Sequence, residues 1–457
     1  MAGQVKPRRV RPAIRRLAIW TLPVLVLIAA WQVWDGAEAR RLQRALAPFL
    51  GAGPTVPGLP AGADDAARYY AAAAIAAVGR NREWQAQAAP GEPVVDVLWA
   101  LRDSLSRGAT PAVPVLEAAS RQVERDKVVL DLLRQASASP FGGFSPGTEF
   151  NYRSSGLFAV NRSAGLQTLQ LIMAGQGDAA ATVLLDRITL LRAVEPERGF
   201  FANAAKAWFI REIATDVGIL PPSTLSDERL GELDRALGGV YASNELEDAI
   251  RGEVLLRYET IRSIWEGRRR SVGGVLMRPA IRHQLVVQLQ TAADAIAAAR
   301  RPWPDSIRGI AAIPIRRSML PELVPFVGAW RDATQFPVRI AEAIAAARCA
   351  RMVVKVEQFR RATGSLPETL DLLTMMDKDE RLDPFTGESL RYSRDAEGFV
   401  VYSVGSDAKD ESGKLSPDFR PGPIPTPRTQ PPPDVGVRVL SRSPTSAPPP
   451  QTPRTAP

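Results

Sequence analysis

The chain has 457 residues, 45% of them hydrophobic, with a net charge of +9, one cysteine and one histidine. That length allows two or three domains, while a lone Cys349 excludes an intrachain disulfide and, with the lone His283, a Cys/His zinc site. The charge does not point to nucleic acid: residues 1–16 hold six basic and no acidic side chains, residues 416–457 hold five Arg and two Asp, and the rest sums to zero, whereas a nucleic-acid-binding domain carries a basic face of its own.

Residues 1–16 read as a cytoplasmic basic segment. Leu17 to Trp34, LAIWTLPVLVLIAAWQVW, is free of charge. As a helix it spans about 27 Å, close to the width of a bilayer core. Trp20, Trp31 and Trp34 stand near its ends, where amphipathic rings favour the interface. The basic residues lie on one side and Asp35 opens the other. The positive-inside rule places the N-terminus in the cytoplasm and the bulk of the chain across the membrane. A cleaved signal peptide is the rival reading, because Ala37-Glu38-Ala39 loosely fits a small-x-small site. The apolar run, however, exceeds the roughly 7–15 residues of such a signal. A buried soluble helix leaves the charge asymmetry without a cause.

Residues 35–62 read as a stalk, ending in GAGPTVPGLPAG. A helical domain is expected over 63–320. DDAARYYAAAAIAAV opens on two acids, as a helix N-terminus should. SASPFGGFSPGTEFNY, Ser137–Tyr152, reads as a loop whose aromatics pin it to its own domain or form a binding lip. Leu166, Leu169 and Met173 share one helical face, GQGD breaks the helix with Asp178 as a cap, and Val183, Leu184, Ile188 and Leu191 line the next. This helical hairpin resembles a single tetratricopeptide-type unit, without a recurrence at that period. In LSDERLGELDRAL, Ser226 is an N-cap and Leu230, Leu233 and Leu237 form the stripe. Glu247 with Arg251 and Glu253 with Arg257 are spaced for ion pairs. These carboxylates, with Glu259, read as a solvated face before they read as acid and base. His283 lies in an amphipathic helical pattern and reads as structural. Proline thickens between Arg301 and Phe326, which suggests a domain boundary.

Residues 335–415 read as a helix ending at Gly364, a short second helix SLPETLDLL, and a hairpin of SLRYS and FVVYSV joined by RDAEG. Residues 416–457 are Pro-rich and read as a disordered tail. The expected fold is thus mainly α: an array of helical hairpins, at most tetratricopeptide-like, behind a transmembrane helix, then a small α+β module and the tail.

The order ATGSLPETLDLL, DPFTGESLRY, GFVVYSVGSDAKDESG resembles the C-terminal head of the major, G-type pseudopilin of type II secretion systems. Asp383-Pro384-Phe385 and Ser403-Val404-Gly405-Ser406-Asp407 are its most specific parts, and the match covers about 75 residues. The whole chain also resembles alanine-rich, membrane-anchored bacterial proteins with this ending. The resemblance implies a calcium site in the loop after the last strand, with Asp407 and Asp410 as ligands and carbonyls near Val404; otherwise no cofactor is expected. The anchor lies about 300 residues ahead of the head, so ordinary assembly into a pseudopilus is not expected. The resulting functional expectation is an anchored protein of the bacterial inner membrane, its bulk periplasmic, that binds envelope or secretion-related proteins. An envelope hydrolase, or a carbohydrate- or lipid-binding module, is the alternative. Ser406-Asp407-Ala408-Lys409 matches Ser-x-x-Lys formally, but after a strand rather than at a helix start.

Overall fold

Residues 17–34 form part of one long helix, α1 (Arg11–Leu50), in the computed structural model, which describes residues 11–50, 63–87, 96–139, 150–194, 200–241, 245–268, 272–314, 336–373, 379–415 and 434–440. Helix α1 continues through the first part of the expected stalk; residues 51–62 lie outside the described set. There follow α2 (Ala63–Gln87), α3 (Val97–Ser106), α4 (Val113–Arg125), α5 (Lys127–Ala138), α6 (Phe150–Met173), α7 (Gly177–Val194), α8 (Phe200–Ile219), α9 (Asp227–Gly238), α10 (Glu245–Arg268), α11 (Val272–Ala299), α12 (Asp305–Ala311) and α13 (Phe336–Thr363). A three-stranded antiparallel sheet closes the chain: β1 (Arg391–Arg394), β2 (Gly398–Ser403) and β3 (Val435–Leu440), in that spatial order.

The chain divides into two compact units. The first comprises Met1–Pro54, Val254–Ala295 and Ile313–Trp330. Within it, the second half of α1 turns a polar stripe to α11. Asp35 meets Arg282 at 2.7 Å and Arg278 at 3.5 Å, and the Glu38 carboxylate is 3.4 Å from Nδ1 of half-buried His283. The Trp31 indole donates to the Leu276 carbonyl at 3.2 Å under the Arg278 guanidinium. Two buried carboxylates on one helix are tolerable because cations answer them, Arg282 and Arg278 at Asp35 and Arg41, at 3.0 Å, at Glu38.

The second unit comprises Thr55–Glu253, Ile296–Ala312 and Arg331–Pro457, and one continuous apolar core runs through it. Helices α6 and α7 form the hairpin that the sequence suggests. Leu166, Leu169, Val183, Leu184, Ile188 and Leu191 are buried, and Gly175 turns the chain at φ +71°. Asp178 does not cap α7; it lies in the first turn and accepts the Ser226 N–H at 2.7 Å. Ser226 caps α9 by accepting from the Arg229 N–H, and Leu230, Leu233 and Leu237 are buried.

Helix α13 packs on α8, α9, β2 and β3. The expected boundary between a helical domain at 63–320 and a module at 335–415 therefore does not exist in the core. Alanine explains the continuity: Ile340 to Ala347 are all buried, because small side chains let neighbours approach on every side. SLPETLDLL forms only a 3-10 turn at Leu370–Leu372, with extended backbone at Thr369. Glu253, expected on a solvated face, is buried.

Strand β3 corrects the reading of residues 416–457 as disordered throughout. Val435, Val437 and Val439 alternate inward and pair with β2 through the register Phe399–Val439 and Val401–Val437. Proline counting hid this short period-2 signal. Helix α8 lies so close to β3 that a Cβ at Gly218 would stand 2.7 Å from Val437 and 2.8 Å from the Arg438 carbonyl. Ending the chain after Leu415 removes three buried valines, each contributing about 1.5–3 kcal/mol. A urea midpoint well below that of the full chain is expected; an unchanged midpoint would show that β3 adds nothing.

Candidate functional site

The most specific motif of the C-terminal region is a structural clamp. Asp383 is buried, and its Oδ1 accepts the Phe385 N–H and the Ser403 hydroxyl, both at 2.8 Å, while Oδ2 accepts the Val404 N–H at 3.0 Å. The Gly387 N–H returns to the Asp383 carbonyl with φ +78°, which favours glycine. One carboxylate thus fastens the DPFTG turn to the end of β2. Its negative charge, together with burial, which is the larger cause, holds the Cys349 thiol well above its ordinary value.

The loop after β2 does not bring its carboxylates together. Asp407 Oδ1 accepts the Lys409 N–H at 3.1 Å, whereas Asp410 Oδ1 accepts the Ser412 N–H at 2.8 Å and the Tyr402 hydroxyl at 3.0 Å. Each stiffens its own turn. Among the described residues no group of three or more His, Cys, Asp and Glu side chains is placed to hold a metal ion. Ser406 is exposed in the turn after β2. Sequence reading missed Asp434, which precedes β3, is buried, and accepts the Gly413 N–H at 2.8 Å.

The electrostatic centre lies elsewhere, among α3, α6, α7 and α8. Asp216 receives Arg102 in a two-pronged contact at 2.7 and 2.9 Å and Arg187 at 2.5 Å. Glu212, one turn earlier, accepts from Asn161 at 2.6 Å and from Arg102 at 3.4 Å. Arg187 Nε also donates to the side-chain Oδ1 of Asn161 at 3.0 Å. All five side chains are buried. Burial opposes the Arg102 charge, but Asp216 and Glu212 outweigh it and hold the guanidinium above its ordinary value. Two cations face two anions, so the cluster is neutral as a whole. Both carboxylates spend their acceptor capacity on these partners. The sequence signal was Glu212 and Asp216 at i, i+4 in an apolar helix.

Two clefts are found on this unit among the described residues. One, about 400 Å³, has Arg102 and Glu212 in its wall, with Trp99 under the Arg102 guanidinium at 4.8 Å and β3 as its far side. The other, about 430 Å³, lies between the end of α9, the turn at 300–303, α13 and the turn at 379–382. Sequence reading singled out neither, because each is assembled from segments far apart in the chain. Glu253 and Glu259, the other carboxylates weighed as acid and base, line neither cleft. The aromatic segment 140–149 lies outside the described residues.

No protein-family model matches the chain, and no curated protein or solved structure matches it. The likeness to a pseudopilin head therefore rests on its motifs alone.

Replacing Asp216 by Asn leaves two buried guanidinium groups facing one charge. A loss of about 3–5 kcal/mol is expected in urea unfolding, against under about 1 kcal/mol for R107Q at the exposed Arg107–Asp103 pair. Equal effects would remove the network from the centre of the fold. Asp434 also gives a pH signature. Burial pushes its carboxyl from 3.8 up to about 6, the Gly413 N–H opposing this and the neighbouring Glu411 carboxyl adding to it. Because the folded state binds this proton more tightly, the stabilisation is full below about pH 4 and is lost as pH rises through 6. Asp186 is raised to about 6 by burial in the same way, against Ser137 and Arg134. D434N is expected to flatten part of the decline in stability between pH 4 and 6; an unaltered slope refutes the assignment.

Proposed function

We propose that the chain is a membrane-anchored, extracytoplasmic helical protein of the bacterial envelope that acts by binding other proteins, in secretion or envelope organisation. One observation carries the anchor. From Val24 to Ala30 every residue of α1 is exposed, Leu25 and Leu27 at 60% and 69%. Seven consecutive helical positions cover all sides of a helix, so this is an apolar rod and not the stripe of an amphipathic one. An apolar surface of that kind is covered by lipid or by another chain. The six basic residues ahead of it fit the cytoplasmic side and Asp35 the other. Among the described residues no helix is long and apolar enough to cross a membrane. The proposed span, 17–34, includes residues 17–23, whose side chains lie outside the described set.

The binding role is favoured over a hydrolase because the paired carboxylates beside a cleft, Glu212 and Asp216, are committed to Arg102 and Arg187. The test is topology and fractionation. An alkaline phosphatase fusion after residue 62 should be active, and the full chain should stay in the pellet after carbonate extraction. Deletion of residues 1–34 should release it. Full-length protein recovered in the soluble fraction without detergent would overturn the anchor.

A further inference from the structure

Many arginines of the second unit are ion-paired, and in one of its clefts a half-buried arginine is not. In the cleft of about 430 Å³, Arg300 makes a two-pronged contact with Glu247, at 2.9 Å on each arm. Arg351 is braced by Asp234 at 2.8 Å and by Glu380. Among the described residues Arg348 donates to the Leu382 carbonyl, at 2.5 Å through Nη1. No carboxylate among the described residues pairs with it, and none pairs with Arg301 beside it. Arg348 is half-buried in the wall of the cleft. A guanidinium has five N–H donors in a planar fork, and here one neutral acceptor answers them. The fully buried Arg102 and Arg187, by contrast, are both answered by carboxylates. Burial holds the Arg348 pKa below its ordinary value, with Glu380 and Asp379 offsetting part of the effect. The guanidinium thus has carboxylates in its neighbourhood but no ion pair within 4 Å, and it borders the cleft.

We propose that this cleft binds an organic monocarboxylate with an apolar body, its carboxylate held by Arg348 and Arg301. The walls supply the second half of the recognition. Leu237, Ile344, Ala347 and Trp303 line the same space, whose volume lies within the range of about 300–1,000 Å³ usual for small-ligand sites. Asp379 and Glu380 stand in the same lining and repel a doubly charged anion more than a singly charged one. The apolar lining, which inorganic phosphate cannot use, is what favours the organic acid. Two sources carry the chemistry: a free small acid and the C-terminus of a protein chain. The proposal does not depend on the membrane anchor.

Calorimetry on the full-length chain in detergent micelles tests it, with N-acetylphenylalanine as the probe. The acid is expected to bind saturably and roughly tenfold or more above N-acetylphenylalaninamide, the scale of one charge-assisted contact. R348Q should lose at least about tenfold, R348K less, and R107Q in the other cleft nothing. The peptide Ala-Ala-Phe with a free C-terminus identifies the source: tighter binding than the acetylated amino acid assigns a protein C-terminus, weaker binding a free acid. Equal binding of acid and amide, phosphate binding as tight as the acid, or an unaffected R348Q overturns the proposal. If R348Q does not fold by circular dichroism, R301Q, at an exposed residue, must weaken the acid or the proposal fails.

Discussion

Asp216 sits between two arginines in a place without water, and α8 is fixed by that contact. A buried carboxylate flanked by Arg102 and Arg187 tolerates little displacement, because each lost hydrogen bond leaves a charge unanswered in a low dielectric. The partners come from α3 and α7, and Glu212 adds Asn161 of α6. Four helices are thus held by directional contacts at one point. Apolar packing alone supplies more free energy but less angular precision. The outer surfaces of α8 then become a reference for the rest of the unit. Arg211 on the next face reaches buried Glu342 of α13, and Gly218 admits β3.

The C-terminal segment is organised by the same device on a smaller scale. Asp383 gathers the Phe385 and Val404 amides and the Ser403 hydroxyl, so the turn before β1 and the end of β2 cannot move apart. Asp434 does this for the loop at 411–413 and the start of β3. The sheet is therefore closed at both ends by buried carboxylates that accept backbone N–H groups. Its inner face needs α13 to cover it, and α13 needs α8. No layer of this arrangement is complete without the helical body.

What could be read from the sequence follows from range. Periodic apolar faces, the Ser226 cap, the Gly364 terminus at φ +82° and the β1–β2 hairpin depend on neighbours within a few residues, and all are present. Residues such as Arg102 and Asp216, 114 positions apart, carry no local pattern that declares them partners. Tertiary contact also overruled local signals. Glu253 is buried despite its spacing for a surface ion pair, and β3 forms within a proline-rich stretch because β2 and α8 offer a surface for it. The site residues followed the same rule. Asp407 and Asp410, implied as calcium ligands by the resemblance, accept hydrogen bonds from Lys409 and from Ser412 and Tyr402 respectively. Arg348 gave no signal, since the cleft it borders is assembled from segments far apart in the chain.

Two alanine- and aliphatic-rich helices show what a sequence leaves open and a structure narrows. In α13, Ile340 to Ala347 are buried on all sides, and the one acid among them, Glu342, is answered by Arg211. In α1, Val24 to Ala30 have comparable composition and are exposed on all sides. The physics of apolar surface is the same in both, about 25 cal/mol for each Å² removed from water. What differs is that other helices cover α13, whereas Val24 to Ala30 of α1 stand exposed. Protein covers α13 because its alanines let α8 and α9 come close. The larger Val, Leu and Ile side chains of α1 project outward instead, and a hydrocarbon phase satisfies such a surface without shape matching. On the proposed anchor, lipid would do for α1 what α8 and α9 do for α13, and the polar stripe of Asp35 and Glu38 lies just past the exposed apolar run.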